Sequence, residues 1–195
     1  MTDPATLHLR PAAPLAERVL LPGDPHRALA VAQALLDGPK MFNHNRGLWG
    51  YTGTARDGEP LTVQATGMGG PSTAIVVEEL IDLGARVLLR IGTCGALREG
   101  FELGELLAAE RVIGADGTSA ALGAGPRLAP DPALTQALAA GGASPRSAAV
   151  ISVAPPMTYP TNDRLETRAG PSGLCVPMCN HSWRGQGPSF VTPDT

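Results

Sequence analysis

The chain has 195 residues, 43% of them hydrophobic, a net charge of −3 and a mean hydropathy of +0.03, values that suit one globular domain with a real core. A pI near 5.8 offers no global positive field, so nucleic acid and anionic membrane surfaces are excluded as expected partners and any anion must be bound locally. Met1 to Pro14 lacks the charged start and apolar core of a signal peptide, and no apolar run approaches the ~20 residues of a membrane span, so a cytoplasmic location is expected. Cys94, Cys175 and Cys179 form no even framework, which predicts reduced thiols and no metal.

In chain order, "RVLLPGDPHRALAVAQALLDG" predicts a strand from Val19 to Leu21, a tight turn, and a helix with Asp24 as N-cap and Pro25 at its first position. Leu29, Ala32, Leu35 and Leu36 fall on one face of that helix, and Gly38 is expected to stop it. Backbone N–H groups around Gly23, the positive end of the helix and Arg27 in its first turn form a candidate oxyanion cradle. The alternative is a plain helix-start turn with a solvated Arg27.

Arg46 sits in a polar loop and reads by itself as a surface charge. "ARDGEP" supplies an Asp-Gly hairpin turn, with Leu61 to Ala65 as the returning strand. Gly67, Gly69 and Gly70 allow close backbone approach to a ligand. Pro71 opens a helix in which Ile75, Val76, Glu79, Leu80 and Leu83 mix core and surface until Gly84 caps it. Met68 between the glycines is either core filling or a soft wall under a sugar.

"VLLRIGTCGAL" places Arg90 inside an apolar strand, and "GTCG" is expected to bend the chain so that Arg90 and Thr93 lie at the carboxyl end of the strand. A buried arginine needs a partner: a bound oxyanion, or an internal carboxylate. "ELGELLAAERVIGADGTS" predicts a strand around Glu110 to Ile113, then a polar loop in which Asp116, Gly117 and Thr118 either turn the chain, the favoured reading, or reach a ligand. After Val153 the order stops. Residues 154–195 show neither a 2 nor a 3.6 period, and no element of more than a few residues is expected there.

"RVLLPGDPHRA", "RGLWGYTGT", "TGMGGPSTAIVVEELIDLGARVLLRIGTCGAL" and "DGTS", in that order, resemble the nucleoside phosphorylase family that contains the hexameric bacterial purine nucleoside phosphorylases and the uridine phosphorylases. The resemblance covers about residues 5–153. It implies an α/β fold with a central mixed sheet flanked by helices, here C-terminally truncated, and an enzyme, a pentosyltransferase that splits a nucleoside with inorganic phosphate into free base and ribose 1-phosphate. Phosphate is then a co-substrate, and no cofactor is implied. The resemblance assigns phosphate to Gly23, Arg27, Arg90 and Thr93, with Arg46 lent across a dimer interface. It assigns the ribose 5′-hydroxyl to His8, lent across the same interface, and the lining of the sugar to Met68. Homodimers within a hexamer are the implied assembly, and the motif text leans towards purine over uridine.

The family's Glu-Met-Glu segment has no counterpart. "GLCVPMCN" shows Pro177 and Cys179 where the glutamates would stand, so the catalytic residue is not identified. The expected organisation is therefore an incomplete phosphorylase-like domain, 1–153, followed by an atypical tail, 154–195, read as disordered or out of frame. A sheet lacking its closing elements is expected to expose apolar surface. A nucleoside hydrolase, or a protein that binds phosphate or nucleoside without turnover, are the other functional readings. No G-x-G-x-x-G opens a helix in the way a dinucleotide binder requires.

Overall fold

The computed structural model describes residues 6–94, 104–146, 150–151 and 172–179, with 144–146, 150–151 and 172–179 described by their backbone. β1 (Arg18–Pro22) leads into α1 (Pro25–Leu35), followed by β2 (Leu36–Asn43), a 3-10 turn (Asn45–Gly47), β3 (Gly50–Ala55), β4 (Pro60–Gln64), α2 (Gly70–Asp82) and β5 (Val87–Cys94). β6 (Leu107–Ala109), β7 (Val112–Ile113), α3 (Gly117–Ala121), β8 (Arg127–Leu128), α4 (Pro132–Ala140), β9 (Ser144–Arg146), β10 (Val150–Ile151) and β11 (Ser172–Cys179) follow.

The main sheet has the order β11-β5-β1-β4-β3-β2. β11, β5, β1 and β4 run parallel, and β3 is antiparallel to both β4 and β2, so the expected mixed α/β sheet is what the chain forms. Smaller pairings join β6 to β9 and place β7 between β10 and β8.

β1 shows why the sheet is buried on both sides. Val19 and Leu21 enter a core with Leu9, Phe42, Val76, Val77, Leu80, Ala85 and Leu88, whereas Leu20 packs on the opposite cluster of Ala28, Ala32, Leu36, Tyr51, Val63 and Ala65. Successive side chains of a strand point to opposite faces, so α2 covers one face and α1 the other. The Asp-Gly hairpin forms as expected: Gly58 (φ +84°) donates to Ala55 O, and Ala55 donates to Glu59 O. Gly84 (φ +107°) ends α2 in a Schellman arrangement, with Ala85 N–H on Leu80 O and Gly84 N–H on Ile81 O.

Several expectations need correction. α1 ends at Leu35, which is 37% exposed, and Gly38 lies within β2 instead of capping the helix. Leu36 is buried, but as the first residue of β2, because pairing with Ala55 of β3 draws the chain out of the helix. β5 does not bend at Gly92. It continues to Cys94 because β11 extends its ladder, pairing Pro177, Met178 and Cys179 with Gly92, Thr93 and Cys94. Gly95 lies outside the described residues.

The strand expected around Glu110 to Ile113 is two strands, β6 and β7, with Glu110 between them. Asp116 starts a helix instead of a simple turn: its carboxylate accepts from Thr118 N, Ser119 N and Ser119 Oγ. Finally, residues 172–179 form an eight-residue strand where no such element is expected. Aperiodic text still pairs along the edge of β5 through its backbone, and Pro177 is tolerated because β11 is itself an edge strand. The rest of the tail lies outside the described residues.

Candidate functional site at the carboxyl ends of the parallel strands

The ends of β1, β4 and β5 meet. Thr66, just past β4, donates through its backbone N–H to Pro22 O at the end of β1, while Leu21 and Pro22 pair with Arg90 and Ile91 of β5. The three Gly-bearing segments therefore open at one mouth, where open α/β sheets hold their ligands.

Arg90 occupies the centre of it. Its Nη1 donates to Leu21 O at 3.0 Å and to Ile91 O, so backbone carbonyls hold one side of the guanidinium. A Cβ at Gly23 would lie 3.1 Å from Arg90 Nη2 and 3.4 Å from Gly67 O, and one at Gly92 would lie 3.0 Å from Arg90 Nη1. Gly23 and Gly92 are small because Arg90 lies across them. Sequence reading assigns Gly23 to a ligand's approach, and packing gives it this second reason.

The α1 terminus contributes less than expected. The Asp24 carboxylate takes the Arg27 N–H at 2.8 Å, which removes that donor from the cradle and adds negative charge beside it. Arg27 itself is half-buried in the first turn. The start of α2 differs, for Gly69 (φ +85°) precedes it and supplies no side-chain cap. Gly67 (φ +73°) shapes the loop between: an added Cβ would lie 2.5 Å from Ser72 Oγ, which donates to Thr66 O at 2.6 Å. Thr93 is exposed on the stretch of β5 beyond its pairing with β1. Met68 is 94% exposed, so core filling is not its role.

His8 and Arg46 belong to a neighbouring surface. Arg46 is exposed in the 3-10 turn with φ 56°, a left-handed conformation that costs a non-glycine residue about 1 kcal/mol. Asn43 braces that turn by donating from Nδ2 to Leu48 O, and Asn45 Nδ2 donates to His8 O at 2.9 Å. The two residues assigned to a dimer interface are thus tied together within one chain. Leu48 in turn reaches the Gly67 loop, 3.5 Å from where a Gly67 Cβ would be.

Glu79, read from sequence only as part of the mixed face of α2, proves central to this surface. Its carboxylate accepts from the backbone N–H groups of Leu7, His8 and Leu9 and meets His8 Nδ1 at 2.7 Å. Burial alone would raise its pKa, but the hydrogen bonds from Leu9, from the His8 side chain and backbone and from Leu7 outweigh that and hold it below its ordinary value. A depressed carboxylate pKa stabilises the fold above the unfolded value, near 4.5, and that contribution is lost as pH falls through the folded value. The protection of the Leu7 to Leu9 amides, relative to their intrinsic exchange rates at each pH, is expected to fall below pH 4.5 before that of the strand amides of Val19 to Leu21; simultaneous loss of protection would contradict this.

The Phosphorylase superfamily pattern matches residues 17–161, and the chain belongs to that family. It is similar to the DeoD-type purine nucleoside phosphorylases of Oceanobacillus iheyensis, 45% identical over 97 residues, and of Geobacillus kaustophilus, 47% identical over 96 residues. That of Clostridium perfringens is also 47% identical over 96 residues. Each match covers 49% of this chain and 40 or 41% of the relative, so the chain matches about two fifths of the length of these relatives. Among the described residues, no helix is long and apolar enough to cross a membrane, and no group of three or more His, Cys, Asp or Glu residues could hold a metal.

Proposed function

We propose that the site performs phosphorolysis of purine nucleosides, giving free base and ribose 1-phosphate. The observation that carries this reading is the convergence of Gly23, the Gly67 loop and the Arg90 guanidinium at one mouth. Phosphate attacks the anomeric carbon as the glycosidic bond loosens, so a dianion must be held beside a sugar of oxocarbenium character. Fixed guanidinium donors suit that task because they need no reorganisation during the reaction. Arg90, with Arg27 and Thr93, grips phosphate; Met68 borders the ribose; Arg46 and His8 act on the site of a second copy. Their shared tether through Asn45 supports that last assignment. Identity to purine-type relatives favours purine over uridine.

The test is to incubate the full chain with inosine, with and without inorganic phosphate, and follow hypoxanthine. Phosphate-dependent release supports the reading. Release without phosphate indicates hydrolysis and overturns it. A second reading, binding without turnover, is favoured by β11, whose "SGLCVPMC" carries no carboxylate. Saturable phosphate binding with no hypoxanthine release would select it.

A further inference from the structure

Three consecutive backbone N–H groups and one imidazole nitrogen converge on the Glu79 carboxylate, at 3.1 Å (Leu7), 3.0 and 3.1 Å (His8), 2.7 Å (Leu9) and 2.7 Å (His8 Nδ1). The side chains of His8 and Glu79 are 26% and 13% exposed. An ionised carboxylate only accepts hydrogen bonds, so His8 Nδ1 must be the donor. In a neutral imidazole the other nitrogen, Nε2, then carries a lone pair and no proton. The backbone around the ring is held as well: Asn45 Nδ2 donates to His8 O, and Thr6 Oγ1 donates to Leu9 O. The ring is thus fixed in both tautomer and place, as an outer carboxylate fixes a ligating histidine in metal sites.

We propose that Glu79 is a positioning residue that holds His8 in its Nδ1-protonated form, so that Nε2 accepts the proton of a nucleoside 5′-hydroxyl and selects nucleosides that carry one. That His8 meets the 5′-hydroxyl is what the family resemblance implies and rests on the preceding reading; the tautomer and the role of Glu79 do not. A site arranged to bond a hydroxyl rejects the analogue lacking it, because a polar group is left unpaired.

The experiment uses the full chain labelled with 15N-histidine, observed by long-range 1H–15N NMR at a pH above the ordinary histidine range, with His8 assigned through His8→Asn. The expected spectrum shows Nδ1 protonated and Nε2 bare, and Glu79→Gln moves the proton towards Nε2. A wild-type His8 protonated at Nε2, or a Glu79→Gln spectrum unchanged from wild type, overturns the proposal. The wild-type spectrum decides the tautomer even where Glu79→Gln fails to fold.

In kinetics, Glu79→Gln is expected to lower the kcat/KM preference for inosine over 5′-deoxyinosine about tenfold, the value of one good hydrogen bond, with 5′-deoxyinosine little affected. Equal losses on both substrates mean a merely structural role and overturn the selectivity. A chain without phosphorolysis removes the functional reading instead. In that case a bare Nε2 still supports the positioning role, and weaker binding of inosine than of 5′-deoxyinosine by calorimetry overturns the selectivity.

Discussion

Replacing Arg90 with alanine is expected to weaken inorganic phosphate binding by about a hundredfold or more, since it removes charge-assisted donors to a dianion. Isothermal titration of the full chain with phosphate measures it. Arg90→Lys is expected to recover only part of the loss. An ammonium restores the charge but not the planar fork, and one Arg90 nitrogen is already committed to Leu21 O and Ile91 O. A thermal melt of each variant separates lost binding from lost fold, because the bond from Arg90 to Leu21 O also joins β5 to β1. Phosphate affinity within about threefold of wild type, in a folded Arg90→Ala chain, would show that the anion is held elsewhere.

Gly50→Ala is expected to be the most damaging small substitution in the sheet. An added Cβ would stand 2.0 Å from Gln64 Oε1, 2.9 Å from Gln64 Cδ and 3.0 Å from Phe42 Cδ1. Gln64 and Phe42 are fully buried, and Gln64 Nε2 is bound to Leu48 O and Ala65 O, so neither neighbour has room to yield. Overpacking together with the loss of those bonds should cost about 3 kcal/mol, equivalent to a fall in Tm of roughly 10 °C for a chain of this size. Trimming Gln64 to alanine in the same chain should restore part of the loss, the non-additivity expected of residues in contact. A Gly50→Ala cost below about 1 kcal/mol would mean that Gln64 rotates freely out of its bonds.

Gly50 also shows where sequence reading stops. "RGLWGYTG" contributes to the family resemblance, yet nothing local says that its second glycine exists to admit a glutamine side chain from β4. Gly23 and Gly92 repeat the point, since the space they leave belongs to Arg90. Glu79 escaped a functional reading because its partners lie seventy or more residues away in sequence. The only local signal was a carboxylate within the apolar run "AIVVEELIDLG".

The sequence by itself determined the elements with strong local chemistry: the Asp24-Pro25 helix start, the Asp57-Gly58 hairpin, the Gly84 stop, and an arginine that cannot lie unpaired in a strand. Capping, positive φ and charge burial act over a few residues, so their marks are legible in a few letters. Only the tertiary structure decided that Leu36 leaves α1 for β2, that β5 runs straight to Cys94, and that the unpatterned stretch 172–179 becomes a strand. In each case backbone pairing with a distant strand overrode local preference. A ladder asks only for a free edge and takes little notice of side chains, so it leaves almost no trace in the sequence of the segment it recruits.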